Sequence, residues 1–288
     1  MIEIIKAIIF GIVEGITEWL PISSTGHLIL FEKIFAFKNV SEGFWSMFEV
    51  VIQLGAILAV VVLFWNSIFP FTNKNGRGFK ESGILSHLDK EITTLWFKII
   101  VACIPAVIFV VLGLDDVCEA MFYNYFCVAI ALIVFGVAFI VVENWNKNRT
   151  SKISSLGEIT YQTALMIGLF QLIAAVFPGT SRSGATIVGA LLIGVSRTVA
   201  AEYTFFLAIP VMFGASLLKG VKFLLHNSMT SQEGIILLVG MLVAFVVSLF
   251  VIRFLMGYIK KHDFKVFGWY RIVLGIIVLI CGFVGVIG

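Results

Sequence analysis

The stretch EGITEWLPISSTGH at residues 14–27 interrupts an apolar segment with two carboxylates, a proline, four hydroxyl groups and an imidazole. A second polar stretch, FPGTSRSGAT at residues 177–186, contains the only lysine or arginine between Lys152 and Arg197. Ionisable groups placed at membrane depth mark functional sites. If the fold brings these first and second polar segments together, they form an anion-binding site that also carries acidic and basic groups.

The composition is that of an integral membrane protein. Of the 288 residues, 60% are hydrophobic, 13% are charged and 28 are phenylalanine, and the mean hydropathy is +1.07. Soluble domains contain about 25% charged residues, so a soluble globular fold is excluded. The net charge of +3 is too small to indicate binding to nucleic acid, and the four cysteines lack metal-ligand spacing.

Six apolar stretches are long enough to cross a bilayer as helices, which takes about 20 residues. They cover roughly residues 47–66, 95–114, 121–142, 203–219, 234–257 and 269–287. Two further apolar segments, 4–31 and 159–195, are each interrupted by one of the polar segments. Because neither half of such a segment can span the bilayer, each is predicted to be a broken helix pair that enters the membrane and returns on the same side.

The order of these elements predicts an all-α, polytopic membrane protein built as one domain from two copies of one unit. Each copy, about residues 1–145 and 146–288, consists of a re-entrant broken helix pair and three transmembrane helices. An odd number of crossings inverts the second copy relative to the first, as in membrane folds with inverted-topology repeats. An offset of 157 residues aligns Gly11 with Gly168, Glu14 with Gln171, Pro21 with Pro178 and Ser24 with Ser181, and one extra residue brings Gly26 onto Gly184.

The charges of the loops predict the orientation. The loops 67–94, 143–158 and 258–268 are basic and are predicted to be cytoplasmic. Residues 115–119 contain three acids and no basic residue, and they are predicted to lie outside. In this orientation the first broken pair enters the membrane from outside and the second from inside.

Glu14 and Glu18 are spaced i, i+4 and therefore lie on one face of the first short helix. Two carboxylates on one face suit Mg²⁺ or Ca²⁺, which prefer oxygen ligands. A solvated helix face at the membrane surface is the alternative explanation for the same spacing.

The residues after Pro21 predict an anion-binding site. Pro21 is expected to end the first short helix, and the three hydroxyl residues that follow are typical of a helix N-cap. A helix N-terminus with free N–H groups and hydroxyls binds anions. The second polar segment repeats this arrangement and adds a guanidinium, whose planar shape fits a phosphate. The predicted phosphate-binding residues are Ser23, Thr25, Gly26, Thr180, Ser181, Arg182 and Ser183.

Ser24 and His27 are spaced i, i+3, which places them close together on one helix face. His27 is therefore a candidate general base for a Ser24 nucleophile. It is equally a candidate for direct attack on phosphorus or for protonation of the leaving group. The sequence does not choose among these roles, and a displacement by water alone also stays open.

Three strings in this sequence resemble the signature segments of the bacterial undecaprenyl-diphosphate phosphatase family, which is also associated with bacitracin resistance. They are EGITEWLPISSTGHLIL at 14–30, FEVVIQLGAIL at 48–58 and PGTSRSGATI at 178–187. The resemblance implies hydrolysis of undecaprenyl diphosphate to undecaprenyl phosphate and inorganic phosphate, which recycles the lipid carrier of cell-wall synthesis. It also implies dependence on Mg²⁺ or Ca²⁺, a homodimer, and a multi-pass location in the bacterial cytoplasmic membrane with the site open to the outer face.

The resemblance carries over to single positions of this sequence. It implies that the acidic pair is Glu14 and Glu18, the serine and histidine are Ser24 and His27, and the phosphate-binding pair is Ser181 and Arg182. The expected catalytic residues are accordingly Glu18, Ser24, His27 and Arg182. The expected metal ligands are Glu14 and Glu18.

Two other functions fit parts of the pattern. A secondary transporter or lipid flippase with an anion site at the midplane also uses inverted repeats and broken helices. Two glutamates, a histidine, a serine and an arginine are nevertheless more than anion binding requires. A lipid phosphatase of the phosphatidic acid phosphatase type is disfavoured because no histidine follows Arg182 before His226.

Overall fold

The computed structural model of the protein describes residues 1–71 and 87–287, and these residues are almost entirely helical. The first half contains α1 (Ile2–Thr17), α2 (Ser24–Phe35), α3 (Phe44–Val51), α4 (Gln53–Leu63), α5 (Trp65–Ile68), α6 (Lys90–Val111), α7 (Leu114–Phe122) and α8 (Tyr125–Asn146). The second half contains α9 (Tyr161–Val176), α10 (Arg182–Ile193), α11 (Arg197–His226), α12 (Ser231–Tyr258) and α13 (Lys265–Phe283). The predicted all-α class is confirmed. Three basic residues of the predicted cytoplasmic loop 67–94 lie outside the described residues, namely Lys74, Arg77 and Lys80.

Six helices of the described chain are long and apolar enough to cross a membrane. They are the rod formed by α3 and α4 (Phe44–Leu63) and the helices α6, α8, α11, α12 and α13. Each coincides with a predicted span. Their outward faces leave large apolar side chains uncovered, such as Leu238, Leu242 and Phe250 of α12. An apolar surface of this extent requires lipid around it.

The two interrupted segments each form two short helices, as predicted. α1 and α2 are separated by a break that contains Pro21, and α9 and α10 by a break that contains Pro178. Each of these four helices has at most 16 residues, which is fewer than the about 20 that a crossing takes.

Helix contacts relate the two halves of the chain. α1 packs along α12, α9 packs along α6, and α8 packs along α13. If each helix is replaced by its counterpart in the other predicted copy, the contact of α1 with α12 becomes the contact of α9 with α6. The contact of α8 with α13 stays the same. Gly11 and Gly168, which the sequence offset aligns, allow the first two contacts, because a Cβ at either position would overlap main-chain atoms of the facing helix. The inversion of one copy relative to the other stays a prediction.

The interior of the protein is centred on α10 and the first half of α11. All residues from Ser183 to Leu191 are buried, and Phe205 and Phe206 of α11 are fully enclosed beside them. On α2, by contrast, the buried residues are Gly26, His27 and Leu28. α10 therefore lies in the interior, whereas α2 lies nearer the edge of the bundle, and the polar segments before them are both largely buried.

Candidate active site

Both polar segments enter their second helix through the same unusual backbone. Ser23 has a φ of 76° and Ser181 a φ of 68°, conformations that cost a residue with a side chain on the order of 1–3 kcal/mol. The Oγ of each serine accepts a hydrogen bond from the amide three residues later. The Gly26 N–H donates to Ser23 and the Gly184 N–H to Ser181, both at 3.2 Å. These bonds close the first helical turn directly after each break.

The structure corrects the register of the repeat at this point. The sequence offset pairs Ser24 with Ser181, whereas in the structure Ser23 and Ser181 are the matching N-caps. The one-residue shift between the copies therefore comes before the serine. Ser24 accordingly corresponds to Arg182, since each is the first residue of its helix. Ser23 and Gly26 were both predicted to bind phosphate. In the structure the Gly26 N–H donates to the Ser23 hydroxyl oxygen, so these two groups pair with each other.

An ion pair joins the two polar segments at Glu18. Arg182 Nη2 donates to Glu18 Oε1 at 2.9 Å, and Ser24 Oγ donates to Glu18 Oε2 at 3.3 Å. Ser183 Oγ donates to the main-chain oxygen of Glu18 at 3.1 Å. The two segments therefore meet in the fold, and a single acidic residue binds groups from both.

Several buried polar atoms around this ion pair have no hydrogen-bond partner among the described residues. They are Arg182 Nε, Thr180 Oγ1 and both carboxylate oxygens of Glu14. Glu14 is fully enclosed and lies one helical turn before Glu18. Leaving such an atom unsatisfied costs about 1–3 kcal/mol. The two donors fit an incoming anion, and the Glu14 oxygens fit a cation.

Glu14 and Glu18, the predicted metal ligands, form only part of a metal site. Glu18 is already engaged with Arg182 and Ser24, whereas both oxygens of Glu14 are free. Within residues 1–71 and 87–287, no group of three or more His, Cys, Asp or Glu side chains is placed to hold an ion. Mg²⁺ is commonly held by one or two carboxylates together with substrate phosphates. The residues therefore fit a cation that arrives with a phosphorylated substrate.

His27 is turned away from Ser24, which differs from the predicted contact. Its Nδ1 lies 2.7 Å from the carbonyl oxygen of Ser23, and its Nε2 lies 2.7 Å from the Tyr270 hydroxyl. Because a carbonyl can only accept, Nδ1 carries the proton, and Nε2 of the neutral ring accepts from Tyr270. The i, i+3 spacing brought the two residues to one face, but these hydrogen bonds orient the ring. The hydrogen-bond partner of Ser24 is Glu18 instead.

Arg271 is a residue of the site that the sequence reasoning missed. Its side chain is fully buried, and its Nη2 donates to the carbonyl oxygens of Thr180 at 2.7 Å and Gly179 at 3.0 Å. Its Nη1 donates to the carbonyl oxygen of Pro21 at 3.3 Å. One guanidinium thus ties the two breaks together. The available signal was an arginine inside the predicted span 269–287, where a charge marks a functional site.

A cavity of about 250 Å³ leads from the surface to Ser24. Its lining comes from the start of α2, from α3, α7 and α11, and from the end of α9, and includes Ser24, Thr25, Glu49, Tyr123, Pro178 and Lys219. Ser24 connects it to the Glu18–Arg182 ion pair. Among the predicted site residues, only Ser24 and Thr25 line this active-site cavity.

The lining of the active-site cavity also contains a hydrogen-bonded pair and an ion pair of polar side chains. Burial and the facing Glu49 carboxylate raise the pKa of Tyr123 above its usual range, so the hydroxyl stays protonated and donates to Glu49. Lys219 of α11 pairs with Glu119 of α7 at 3.5 Å. Nothing in the sequence assigned Tyr123, Glu119 or Lys219 to the site.

The chain is similar over nearly its whole length to proteins of one kind. The sequence model of the family described as bacitracin resistance protein BacA matches residues 7–277. The undecaprenyl-diphosphatase of Desulfitobacterium hafniense is 62% identical over 280 residues, which are 97% of this chain and 96% of that protein. Undecaprenyl-diphosphatase 1 of Clostridium acetobutylicum is 63% identical over 279 residues, 97% of each chain. An undecaprenyl-diphosphatase of Enterococcus faecalis is 60% identical over 279 residues, again 97% of each.

Proposed function

The chain belongs to the bacitracin resistance protein BacA family, and we propose that it hydrolyses undecaprenyl diphosphate to undecaprenyl phosphate and inorganic phosphate at the site around Glu18. The observation that carries this assignment is the ion pair between Arg182 and Glu18. It joins a phosphate-binding guanidinium from one polar segment to the acid and the serine of the other. Relatives that match over almost their full length are named for this reaction. Its product is the lipid carrier of cell-wall synthesis.

Arg182 binds the terminal phosphate of the substrate. A main-chain carbonyl of α11 accepts from its Nη1 at 3.2 Å and Glu18 accepts from its Nη2 at 2.9 Å, which fixes the plane of the guanidinium. Nε and the Thr180 hydroxyl remain as free donors. Because Ser183 donates to the main-chain oxygen of Glu18, Ser181 is the donor in the 3.1 Å hydrogen bond between the two serines, and its hydroxyl is available to a phosphate oxygen after a rotation. Preorganised donors of this kind stabilise the charge that develops in phosphoryl transfer.

Ser24 is the nucleophile in this proposal, because its hydroxyl both lines the active-site cavity and donates to a carboxylate. Its Oγ bonds to the terminal phosphorus while its proton passes to Glu18 Oε2. The bond from that phosphorus to the bridging oxygen breaks, and undecaprenyl phosphate leaves. The oxygen of a water molecule then bonds to the phosphorus and its protons stay on the phosphate, while the bond from phosphorus to Ser24 Oγ breaks. Glu18 returns its proton to that Oγ, and inorganic phosphate leaves. A positioned base typically contributes about 10²- to 10⁴-fold to such a step.

His27 is a positioning residue in this scheme. Its Nδ1–H holds the carbonyl of Ser23 at 2.7 Å, and Tyr270 fixes the ring from the other side. The backbone directly before Ser24 is thereby held in its strained conformation. His27 acts on the reaction through Ser24 and not by touching the phosphate.

A divalent cation, Mg²⁺ or Ca²⁺, is part of the proposal. Glu14, with two free buried oxygens and Glu18 one turn away, is where this chain would hold it. When bound, the cation supplies Lewis-acid neutralisation of the phosphate charge.

The protein is a multi-pass membrane protein, and we place it in the bacterial cytoplasmic membrane with the active-site cavity open to the outer face. Asp115 and Glu119 of the acidic helix α7 line this cavity, whereas the segments 143–158 and 258–268 are basic, as cytoplasmic loops are. The diphosphate enters the cavity while the polyprenyl tail stays in lipid beside the helices. The homodimer that the family resemblance implies stays a prediction.

Phosphate release from undecaprenyl diphosphate by the detergent-purified protein tests the proposal. Wild type is compared with Glu18→Ala and Arg182→Ala, with and without EDTA. Metal-dependent release that both variants lose supports one site built from both polar segments. Undiminished release by either variant contradicts that site. No release from folded wild-type protein, together with movement of the lipid in liposomes, would move the assignment to a transporter or flippase.

A further inference from the structure

A second cavity lies at the end of the helix bundle opposite the active-site cavity. Tyr123, just before α8, lines the active-site cavity, and Asn146, the last residue of α8, lines the second cavity. A helix of 22 residues is about 33 Å long at 1.5 Å per residue. This length is close to the thickness of the hydrocarbon core, about 30 Å. The two cavities therefore face opposite surfaces of the membrane.

The second cavity has a volume of about 360 Å³ and is strongly basic. Its basic lining residues come from the loop after α8, the start of α11 and the end of α12, and they are Arg149, Lys152, Arg197 and Lys260. Among the described lining residues the single carboxylate is Glu143. Its oxygens accept from Arg197 Nη2 at 2.6 Å, from Arg197 Nε at 2.9 Å and from the Phe264 N–H at 3.0 Å. Glu143 is thus fully occupied inside the protein.

The other three cations have no carboxylate within ion-pair distance in the described part of the chain. Arg149 stacks on the Trp145 ring at 4.7 Å, the stem of Lys152 packs beside Gly194, and Lys260 interacts with Glu202 only at longer range. Like charges that share a cavity repel one another unless an anion lies between them. The cavity therefore presents uncompensated positive charge.

The rim of this cavity carries two exposed apolar side chains, Leu192 in the lining and Trp145 beside it. Leu192 in the lining is 44% exposed, and Trp145, whose ring stacks with Arg149, is 53% exposed. Tryptophan is enriched where helices pass the lipid headgroups. Basic pockets between transmembrane helices on the cytoplasmic side hold phosphate headgroups. A free phosphate ion would use the cations but not the apolar rim.

We propose that this basic cavity binds the phosphate headgroup of an anionic phospholipid on the membrane surface opposite the active site. Arg149, Lys152 and Lys260 contact the phosphate, and Arg197, fixed by Glu143, forms the floor of the cavity. The acyl chains run past Leu192 into the bilayer. A bound headgroup links the loop after α8 to the end of α12 and compensates their charge.

Native mass spectrometry of the full-length protein in detergent tests the proposal, with phosphatidylglycerol and phosphatidylcholine as probes. The site variant is Arg149→Gln/Lys152→Gln/Lys260→Gln. The matched control, Lys147→Gln/Lys261→Gln/Lys265→Gln, removes the same charge from the same end of the protein outside the cavity. Wild type should prefer phosphatidylglycerol. The site variant should lose roughly tenfold to a hundredfold in affinity for it, and the control about twofold.

Three outcomes overturn the proposal. Equal weakening in both triple variants would mean a general attraction of the basic surface for anionic lipid. Equal retention of the two lipids would mean that no charged headgroup is selected. Thermal stabilisation by millimolar inorganic phosphate, lost in the site variant and without preference for phosphatidylglycerol, would assign the cavity to free phosphate. If the triple variant does not fold, Lys260→Gln against its neighbour Lys261→Gln repeats the comparison.

Discussion

The two polar segments share one backbone conformation but differ in chemistry and in the burial of the helix that follows each of them. Each begins its second helix with a serine at positive φ whose hydroxyl caps the amide of a glycine. The second segment continues into α10, which is buried from Ser183 to Leu191. The first continues into α2, where three residues near its start are buried. The same turn therefore opens once into a helix in the interior and once into a helix at the edge of the bundle.

Because of this difference, the two polar segments have different roles in the site. Ser24 and Thr25 of the first segment line the active-site cavity, whereas Arg182 of the second lies outside the lining and pairs with Glu18. The second segment supplies a guanidinium that neighbouring carbonyl and carboxylate groups hold in place. The first segment supplies the groups that a lipid-borne diphosphate meets first. Substitutions in the two segments should consequently have different effects on activity and stability.

The largest effect is expected at Arg182. Arg182→Ala should lower kcat for phosphate release about 1,000-fold, because a fixed donor to the developing charge is lost. Arg182→Lys keeps the charge but not the planar fork and should recover only about tenfold of this loss. Steady-state kinetics with undecaprenyl diphosphate measure both. Equal activity of the lysine variant and wild type would show that charge alone matters.

The adjacent serines of the first segment give the next comparison. Ser24→Ala should lower kcat about 100-fold or more, because it removes the proposed nucleophile, with little change in melting temperature. Ser23→Ala should lower stability by about 1 kcal/mol through loss of the cap and change kcat far less. Trapping of a phosphoserine in quenched reactions adds a direct test. If Ser24→Ala kept near-normal turnover, water and not the serine would be the nucleophile.

Arg271 allows a test of how the two breaks are held together. Arg271→Met leaves the carbonyls of Pro21, Gly179 and Thr180 without their donor, at about 1–3 kcal/mol for each. The melting temperature should fall more than for Arg182→Ala. The value of kcat/KM should also fall about 100-fold, because small displacements of catalytic groups are costly. Arg271→Lys should restore part of the stability, and full activity in Arg271→Met would show that the breaks are held by other contacts.

The sequence was sufficient for the class, the six spans and the two broken helices, because these follow from apolar length and from the Pro- and Gly-containing interruptions. It also supported the meeting of the polar segments, since a cation in one and acids in the other need each other in low dielectric. It was not sufficient for the register inside the breaks. Ser23 and Ser24 are chemically identical, and only the positive φ of Ser23 shows which of them is the cap.

Contacts made across the fold were the other part that the sequence could not supply. Arg271 lies 250 residues from Pro21 along the chain, and nothing local to either indicates the hydrogen bond between them. The orientation of His27 depends in the same way on Tyr270, which is 243 residues away. Helical spacing puts Ser24 and His27 on one face of the helix, but a side chain with rotatable bonds follows its best hydrogen-bond partners and not its position on the helix.

The smallest expected effect concerns the role of His27 in the first segment. A positioning histidine should tolerate glutamine, whose amide can donate to the Ser23 carbonyl and accept from Tyr270. His27→Gln and Tyr270→Phe should therefore each lower kcat only about twofold to fivefold, and His27→Ala about tenfold. The pH–rate profile separates this from catalysis, because removing a general base abolishes the acidic limb of the profile. Persistence of that limb in His27→Gln means that the titrating base lies elsewhere, with Glu18 as the candidate. If the acidic limb disappeared and kcat fell about 100-fold or more, His27 would be a catalytic residue that contacts the reacting atoms. Its ring would then have to leave Tyr270 when substrate binds.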